Sequence, residues 1–292
     1  MVKENIQYIT IENEAYPERL RHIYKPPKAL YVRGNLPEQA GIGLAIVGAR
    51  NCSAYGKEIA FHFAKELARN GIEVISGVAR GIDGAAHKGA LACKGRTYGV
   101  LGCGIDVYYP KEHAKLYEQI ELEGGIISEY GIGVAPLAGY FPMRNRIISG
   151  LANGILVIEA RAKSGSLITV EYGLEQGKDI FVIPGRIFDE LSKGCNRLLK
   201  AGAIPVTEPV DILEYYGIEQ CKNVDGKKKN NNLLEKQEKI VYSRLCLVPK
   251  HLNQVVAECQ IPIADVMQSL ISLERKGYIK QPLKCYYIKQ LE

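Results

Sequence analysis

Five short stretches of this sequence set glycine beside reactive or charged side chains: Gly48-Ala49-Arg50-Asn51, Ser76-Gly77-Val78-Ala79-Arg80-Gly81-Ile82-Asp83, Gly102-Cys103-Gly104, Ala160-Arg161-Ala162-Lys163-Ser164-Gly165-Ser166 and Pro184-Gly185-Arg186. Glycine lets the main chain turn sharply and lets a bulky ligand approach its N–H groups. A helix starting just after such a turn adds its dipole and unpaired donors, which favour an anion. Arg50, Arg80, Lys163 and Arg186 bring positive charge to the same turns. One turn of this kind is usually no more than a tight bend between strand and helix. Five of them, four carrying a basic side chain, describe a phosphate-binding rim.

A sixth stretch, Phe141-Pro142-Met143-Arg144-Asn145-Arg146, combines an aromatic ring with two guanidinium groups. That suits a single nucleic-acid strand, whose bases stack on rings while cations neutralise its phosphates. The competing expectation is a helix start whose arginines pair with Glu129 or Glu159. Asp83 and His87, four residues apart, fall on one face of a helix start. There they either cap and brace the turn or supply a base or a metal ligand; the structural role carries more weight.

Other chemistries lack their signatures. Gly102-Cys103-Gly104-Ile105-Asp106-Val107 misses the third glycine of a dinucleotide fingerprint, and no GxxxxGK[ST] occurs. There is no GxSxG elbow and no evident Ser-His-Asp set. The eight cysteines, at 52, 93, 103, 195, 221, 246, 259 and 285, form no CxxC pair. Zinc needs paired ligands on tight turns, so most of these cysteines are expected as small buried hydrophobes. Neither metal nor cofactor is expected.

The elements that must position these residues alternate regularly. Apolar runs at Leu44–Val47, Glu73–Ser76, Thr97–Leu101, Ile126–Ser128, Ile155–Glu159 and Ile180–Ile183 read as buried strands. Helical stretches at Ala54–Asn70, Gly84–Cys93, Glu112–Glu123, Met143–Leu151 and Leu167–Gln176 separate them, the first with a stripe of Ile59, Phe63 and Leu67. Such alternation predicts an α/β, Rossmann-like, doubly wound and mostly parallel sheet. Ligands bind such sheets at the carboxyl ends of the strands, where all five glycine turns fall.

Residues 222–232, KNVDGKKKNNN, are too polar to bury a core and read as a linker. The predicted organisation is therefore a lead-in to the core at 1–40, a Rossmann-like domain at 41–221, the linker, and a small domain at 233–292. In that last part Leu233–Leu245, Leu252–Cys259 and Ile263–Arg275 read as helices, followed by β-prone Tyr278–Lys280 and Cys285–Lys289 around a Pro282 turn. Three helices and a hairpin make a winged helix; a generic protein-docking domain is an equal alternative.

The 292 residues are 47% hydrophobic and 24% charged, a soluble globular balance that excludes a disordered chain. No apolar run is long enough to span a bilayer, and the acidic N-terminus is no signal peptide, so a cytoplasmic protein is expected. The net charge is +6, and residues 222–292, with 13 basic and 7 acidic side chains, carry all of it. That concentration is mildly suggestive of nucleic acid and equally compatible with a solvated basic tail.

The segments GAR at 48–50, SGVARGIDGAAH at 76–87, LGCGIDVYYP at 101–110, SEYG at 128–131, FPMRNRIISGL at 141–151, EARAKSGSLIT at 159–169 and PG at 184–185 occur together and in order. In this the chain resembles the DNA-processing protein A family over nearly its whole length, and its tail is similar to the winged helix many members append. The resemblance implies a homodimer that binds and protects incoming single-stranded DNA during natural transformation. It would load a RecA-type recombinase onto that strand and help it displace single-strand-binding protein, with no catalytic residues. It implies that Arg50 is the principal DNA contact, with Gly48 beside it, and that Lys111 is a further basic contact. It also assigns Phe141, Arg144, Asn145, Arg146, Lys163, Ser164, Gly165 and Ser166 to the binding pocket. The Gly77, Arg80 and Gly81 turn completes the expected interface. Ala49 stands where the family usually has serine, and Ala138 where lysine is common.

Two rivals remain. One is a phosphoribohydrolase-like or lysine-decarboxylase-like enzyme, with Glu171 as its acid; the spacing from Thr169 to Glu171 is one residue short for that loop. The other is a transcription regulator using the winged helix on duplex DNA.

Overall fold

The computed structural model describes residues 6–220 and 234–290, so the linker expected at 222–232 lies outside the described residues. The chain forms two compact units, Met1–Cys221 and Lys222–Glu292. Elements of the first follow in chain order as β1 (Gln7–Thr10), α1 (Glu18–Arg21), β2 (Ala29–Gly34), β3 (Gly43–Val47), α2 (Ala54–Arg69), β4 (Glu73–Gly77), α3 (Ile82–Ala92), β5 (Thr97–Gly104), a 3-10 turn (Lys111–His113), α4 (Ala114–Glu123), β6 (Gly125–Tyr130), α5 (Tyr140–Leu151), β7 (Gly154–Val157), α6 (Ser166–Glu175), β8 (Asp179–Val182), α7 (Lys193–Lys200), β9 (Ile204–Pro205) and α8 (Pro209–Tyr215).

The strands form one nine-stranded sheet in the order β1-β2-β6-β5-β4-β3-β7-β8-β9. The run from β6 to β9 is parallel, whereas β1 and β2 pair antiparallel at one edge. The lead-in at 1–40 thus supplies two strands of the same sheet. Every residue of β3, β4, β5 and β7 is buried, as continuous apolar strands covered on both faces must be. The chain steps outward from β3 through β4 and β5 to β6, then returns to the free side of β3 as β7. The loops after β3 and β7 therefore flank the switch point, where an open α/β sheet leaves a crevice.

Local sequence fixes the helices that frame this crevice. Ser53 caps α2, its Oγ accepting from the Gly56 N–H at 2.9 Å. On α2, Ile59, Phe63 and Leu67 are buried as the stripe predicts. Helix α5 begins at Tyr140, three residues earlier than its apolar pattern indicates. Pro142 sits in its first turn, where a missing N–H breaks no intrahelical bond. Among the described cysteines none is in a disulfide; Cys103, Cys195 and Cys259 are buried, but Cys52, Cys93 and Cys285 are half-buried and Cys246 is exposed. Fewer are core residues than their scatter suggested. No described helix is long and apolar enough to cross a membrane.

The second unit contains α9 (Lys236–Arg244), β10 (Lys250–His251), α10 (Leu252–Cys259), α11 (Ile263–Arg275), β11 (Ile279–Leu283) and β12 (Tyr286–Lys289), with a sheet ordered β10-β12-β11. Its own core joins Leu234, Val241, Val255, Val266, Leu270 and Leu273. Glu238, buried, accepts from Ser272 Oγ and Lys276 Nζ, each at 2.6 Å. The hairpin corrects one expectation: Pro282 lies inside β11, where the register shifts between Lys280 and Leu283. A bulge tolerates a residue with no N–H to donate. The turn falls at Lys284-Cys285, with Cys285 at φ 62°.

Helices α2 and α3 meet at Gly89, where an added Cβ would run into the carbonyl oxygen of Phe61. Gly89→Ala should lower unfolding free energy by about 1–3 kcal/mol through overpacking, as read by urea denaturation; an unchanged midpoint would show that the helices yield freely.

Candidate nucleic-acid interface

The loop after β3 threads a narrow gap. A Cβ on Gly48 would lie 2.6 Å from Ile82 of α3 and 2.9 Å from the carbonyl of Glu159, so only glycine passes. Ala49 then donates to the Glu159 carbonyl at 2.7 Å. This carries Arg50 into solvent with its guanidinium 5.2 Å from the centre of the Phe141 ring, a cation–π contact. The Phe141 ring in turn lies 5.4 Å from that of Tyr109. Gly102 leaves room for it, since a Cβ there would come within 2.9 Å of the ring.

The N-terminus of α2, where a Rossmann-like sheet usually meets a phosphate, is already occupied. The Glu159 carboxylate, 7% exposed, accepts from the Ser53 N–H at 2.8 Å and from Ser53 Oγ at 2.5 Å. A side chain on Gly56 would collide with it. The protein's own carboxylate thus sits at the positive end of the helix and takes the N–H and hydroxyl of its capping residue. A further anion is left to the exposed loops.

Those loops enclose a cavity of about 670 Å³, lined by Gly48, Arg50, Phe141, Arg144, Asn145, Lys163, Ser164, Gly165 and Ser166 among the expected residues. Tyr109, Asn51, Arg161, Asp83 and the substituted position Ala138 also face it. The loop into α6 is internally tied: Ser164 Oγ and Ser166 Oγ are 2.8 Å apart, and Asn145 Nδ2 donates to the Gly165 carbonyl at 3.3 Å. Lys163 and Arg161 remain exposed. A second cavity of about 400 Å³ shares Arg50, Tyr109, Phe141 and Arg144 with the first and adds Arg80, Lys111 and Gly102. Arg80 there holds Glu112 through two contacts, at 2.6 and 2.7 Å.

Three expected residues lie beneath or away from the rim. Arg146 is buried against Glu129 at 2.7 Å and lines neither cavity, so the ion-pair alternative describes it. Gly77 ends β4 in the interior: a Cβ there would lie 2.7 Å from both Arg144 Nη2 and Asp83 Oδ2, so its absence makes space for both groups. Gly81, at φ 78°, presses against the carbonyls of Ala49 and Arg50 and shapes the turn under Arg50. Arg144 does reach both cavities but as a buried side chain, donating to the Val100 carbonyl. Its charge belongs to the floor rather than the mouth.

Burial lowers the Arg144 pKa, with Asp83 acting against that shift. Burial pushes Asp83 up to about 7, opposed by Arg144 and Arg50. Burial also takes His87 down to about 3. His87 bonds Thr97 Oγ1 at 2.7 Å and the Gly77 carbonyl at 3.2 Å, a bracing role. Glu171 is exposed on α6 and lines neither cavity. Among the described residues no three His, Cys, Asp or Glu side chains gather as a metal site would need. Sequence reasoning missed Tyr109 and the capping role of Glu159; a Tyr-Tyr-Pro run after a strand was the available signal for the first.

Residues 7–217 match the family described as DNA recombination-mediator protein A. Over 284 residues the chain is 46% identical to protein Smf of Escherichia coli, covering 94% of this chain and 75% of that one. It is 40% identical to DNA processing protein DprA of Bacillus subtilis over 73% of this chain and 72% of the relative. The solved structure of DNA processing protein A from Streptococcus pneumoniae superposes with a TM-score of 0.68 at 42% identity, covering 74% and 75% of the two chains. That of the Helicobacter pylori protein, described for its single-stranded DNA binding mode, gives 0.64 at 32% identity, covering 72% of this chain and 95% of that one.

Asp83 makes stability depend on pH with a definite sign. Its folded pKa, about 7, exceeds its ordinary 3.8, so the folded state holds the proton more tightly and loses stability as pH rises between those values. The shift bounds the effect at roughly 4 kcal/mol. His87 acts oppositely, losing stability as pH falls from 6.5 toward about 3. Subtracting the Asp83→Asn profile from the wild-type profile should therefore leave a decline from about pH 4 to 7 in thermal or urea unfolding; a flat difference would contradict it.

Proposed function

The chain belongs to the DNA recombination-mediator protein A family, and from that premise we propose that it binds single-stranded DNA across the carboxyl edge of its sheet. The observation that carries this reading is the Arg50 guanidinium stacked over Phe141 at the junction of the two cavities. Arg50, Lys163 and Arg161 neutralise phosphates, and Phe141 with Tyr109 offers rings to a base. The Helicobacter pylori relative, described for its single-stranded DNA binding mode, supports a single strand as the ligand. Phosphate contacts position a strand without reading it, and ring stacking accepts any base, so binding is largely independent of sequence. Asp83 and Arg144 serve as the charged floor, and Arg80 and Lys111 widen the positive margin on the second cavity.

The same reading makes the chain a cytoplasmic mediator rather than an enzyme. It acts as a homodimer that protects incoming single strands, loads a RecA-type recombinase and helps it displace single-strand-binding protein during natural transformation. Two rims in one dimer raise affinity through effective concentration. The second unit, with its helices and three-stranded sheet, is taken as a winged helix and its basic character as an auxiliary contact.

Titration of a labelled oligothymidylate across a salt series tests this. Arg50→Ala should weaken binding at least about tenfold and reduce the slope of log affinity against log salt by about 0.7, the loss of one phosphate contact on a single strand. Phe141→Ala should cost about 1–3 kcal/mol with little change in slope. Affinity indifferent to both substitutions would overturn the reading.

A further inference from the structure

The loop between β8 and α7 holds an apolar pair out in solvent. Phe188 is 88% exposed and Ile187 74%, and no other large hydrophobic side chain among the described residues is as exposed as Phe188. The loop that carries them is pinned at both ends. Gly185 and Asn196 exchange two hydrogen bonds, at 3.3 and 3.0 Å, Asp189 N–H donates to the Arg186 carbonyl at 3.2 Å, and Ser192 N–H to the Asp189 carbonyl at 3.0 Å. The exposure is therefore imposed by the fold and is not a stray side chain on a loose segment.

Its position is as telling as its exposure. β8 lies beside β7, so this loop leaves the carboxyl edge next to the loop that walls the main cavity. The two loops are joined directly: Ala160 N–H donates to the Leu191 carbonyl at 2.7 Å, and Gly194 N–H to the Ala160 carbonyl at 2.8 Å. Along the edge, β5, β4, β3, β7 and β8 follow in order. Tyr109 follows β5, and Phe188 follows β8. Four interstrand steps of about 4.8 Å separate those strands, roughly 19 Å. Between them the edge presents Arg50, Arg161 and Lys163, with Arg186 two residues before Phe188. The nearby acids are Asp189 and Glu190, and Lys193 holds Glu190. An apolar ring at the end of a row of cations matches a strand whose bases and phosphates alternate, and it does so more fully than an apolar protein partner would.

We propose that Phe188, preceded by Arg186 and Ile187, is a second base-stacking platform, placed to engage a single strand already held by Arg50 and Phe141. The inference rests on the single-strand reading of the rim and extends its length. A strand too short to cross the edge meets only the first platform; a longer one meets both.

The sequence contains no tryptophan, so Phe188→Trp installs a unique fluorophore at the site. Full-length protein is titrated with an oligothymidylate trimer and a dodecamer. The dodecamer should quench the indole emission of the F188W protein, and the trimer should not. In anisotropy titrations Phe188→Ala should weaken the dodecamer about five- to a hundredfold and leave the trimer unchanged, with Phe188→Trp restoring affinity. Arg50→Ala should weaken both oligonucleotides. A dodecamer indifferent to Phe188→Ala, an unquenched indole, or equal losses on both lengths overturns the second platform while leaving the rim in place. Failure of the wild-type protein to bind either oligonucleotide, or indifference of both to Arg50→Ala, overturns the rim reading and the platform with it.

Discussion

The buried carboxylate of Glu159 at the start of α2 sets the terms for everything at the sheet edge. It binds the Ser53 N–H and hydroxyl, while the main-chain carbonyl of Glu159 receives the Ala49 N–H. Through these bonds the end of β7 is locked to the turn that follows β3, across the switch point of the sheet. The helix N-terminus that would otherwise attract a nucleotide phosphate is occupied by the protein's own carboxylate. Removing one partner of such a buried, charge-assisted bond leaves polar groups orphaned, so these bonds hold the two loops together as one wall.

Above that wall the chemistry is laid out by depth. Arg144 and Asp83 occupy the interior, with Gly77 leaving space for both groups. Arg50 and Phe141 form the visible layer, and Lys163 and Arg161 stand exposed beside them. A buried cation beside a buried acid of raised pKa tunes the field of the cavity, whereas exposed cations meet a ligand's charge directly. The two arginines of one short helix, Arg144 and Arg146, are buried in different settings. One forms the floor, and the other is bound to Glu129.

Much of this is legible in the sequence because central parallel strands, buried on both faces, must be continuously apolar. The glycine turns are legible because only particular backbone geometries demand them. The short strands β1 and β9 at the two margins of the sheet carry no such constraint, and the apolar pattern does not mark them. The same pattern enters α5 late because Pro142 masks its first turn. Pro282 suggests a turn where a bulge accommodates it. Glu159 is not recognisable as a cap, since it lies 106 residues from Ser53 in sequence. The choice between a contact and an ion pair for Arg146 likewise depends on a tertiary partner.

The central claim is that one strand lies across the carboxyl edge at Arg50 and Phe141. The most direct measurement is a crystal structure of the protein with a short oligothymidylate. It should show a phosphate within about 3 Å of the Arg50 guanidinium and a base stacked on Phe141. A strand ordered elsewhere, with the cavity walled by Lys163 and Ser164 left empty, would contradict the account.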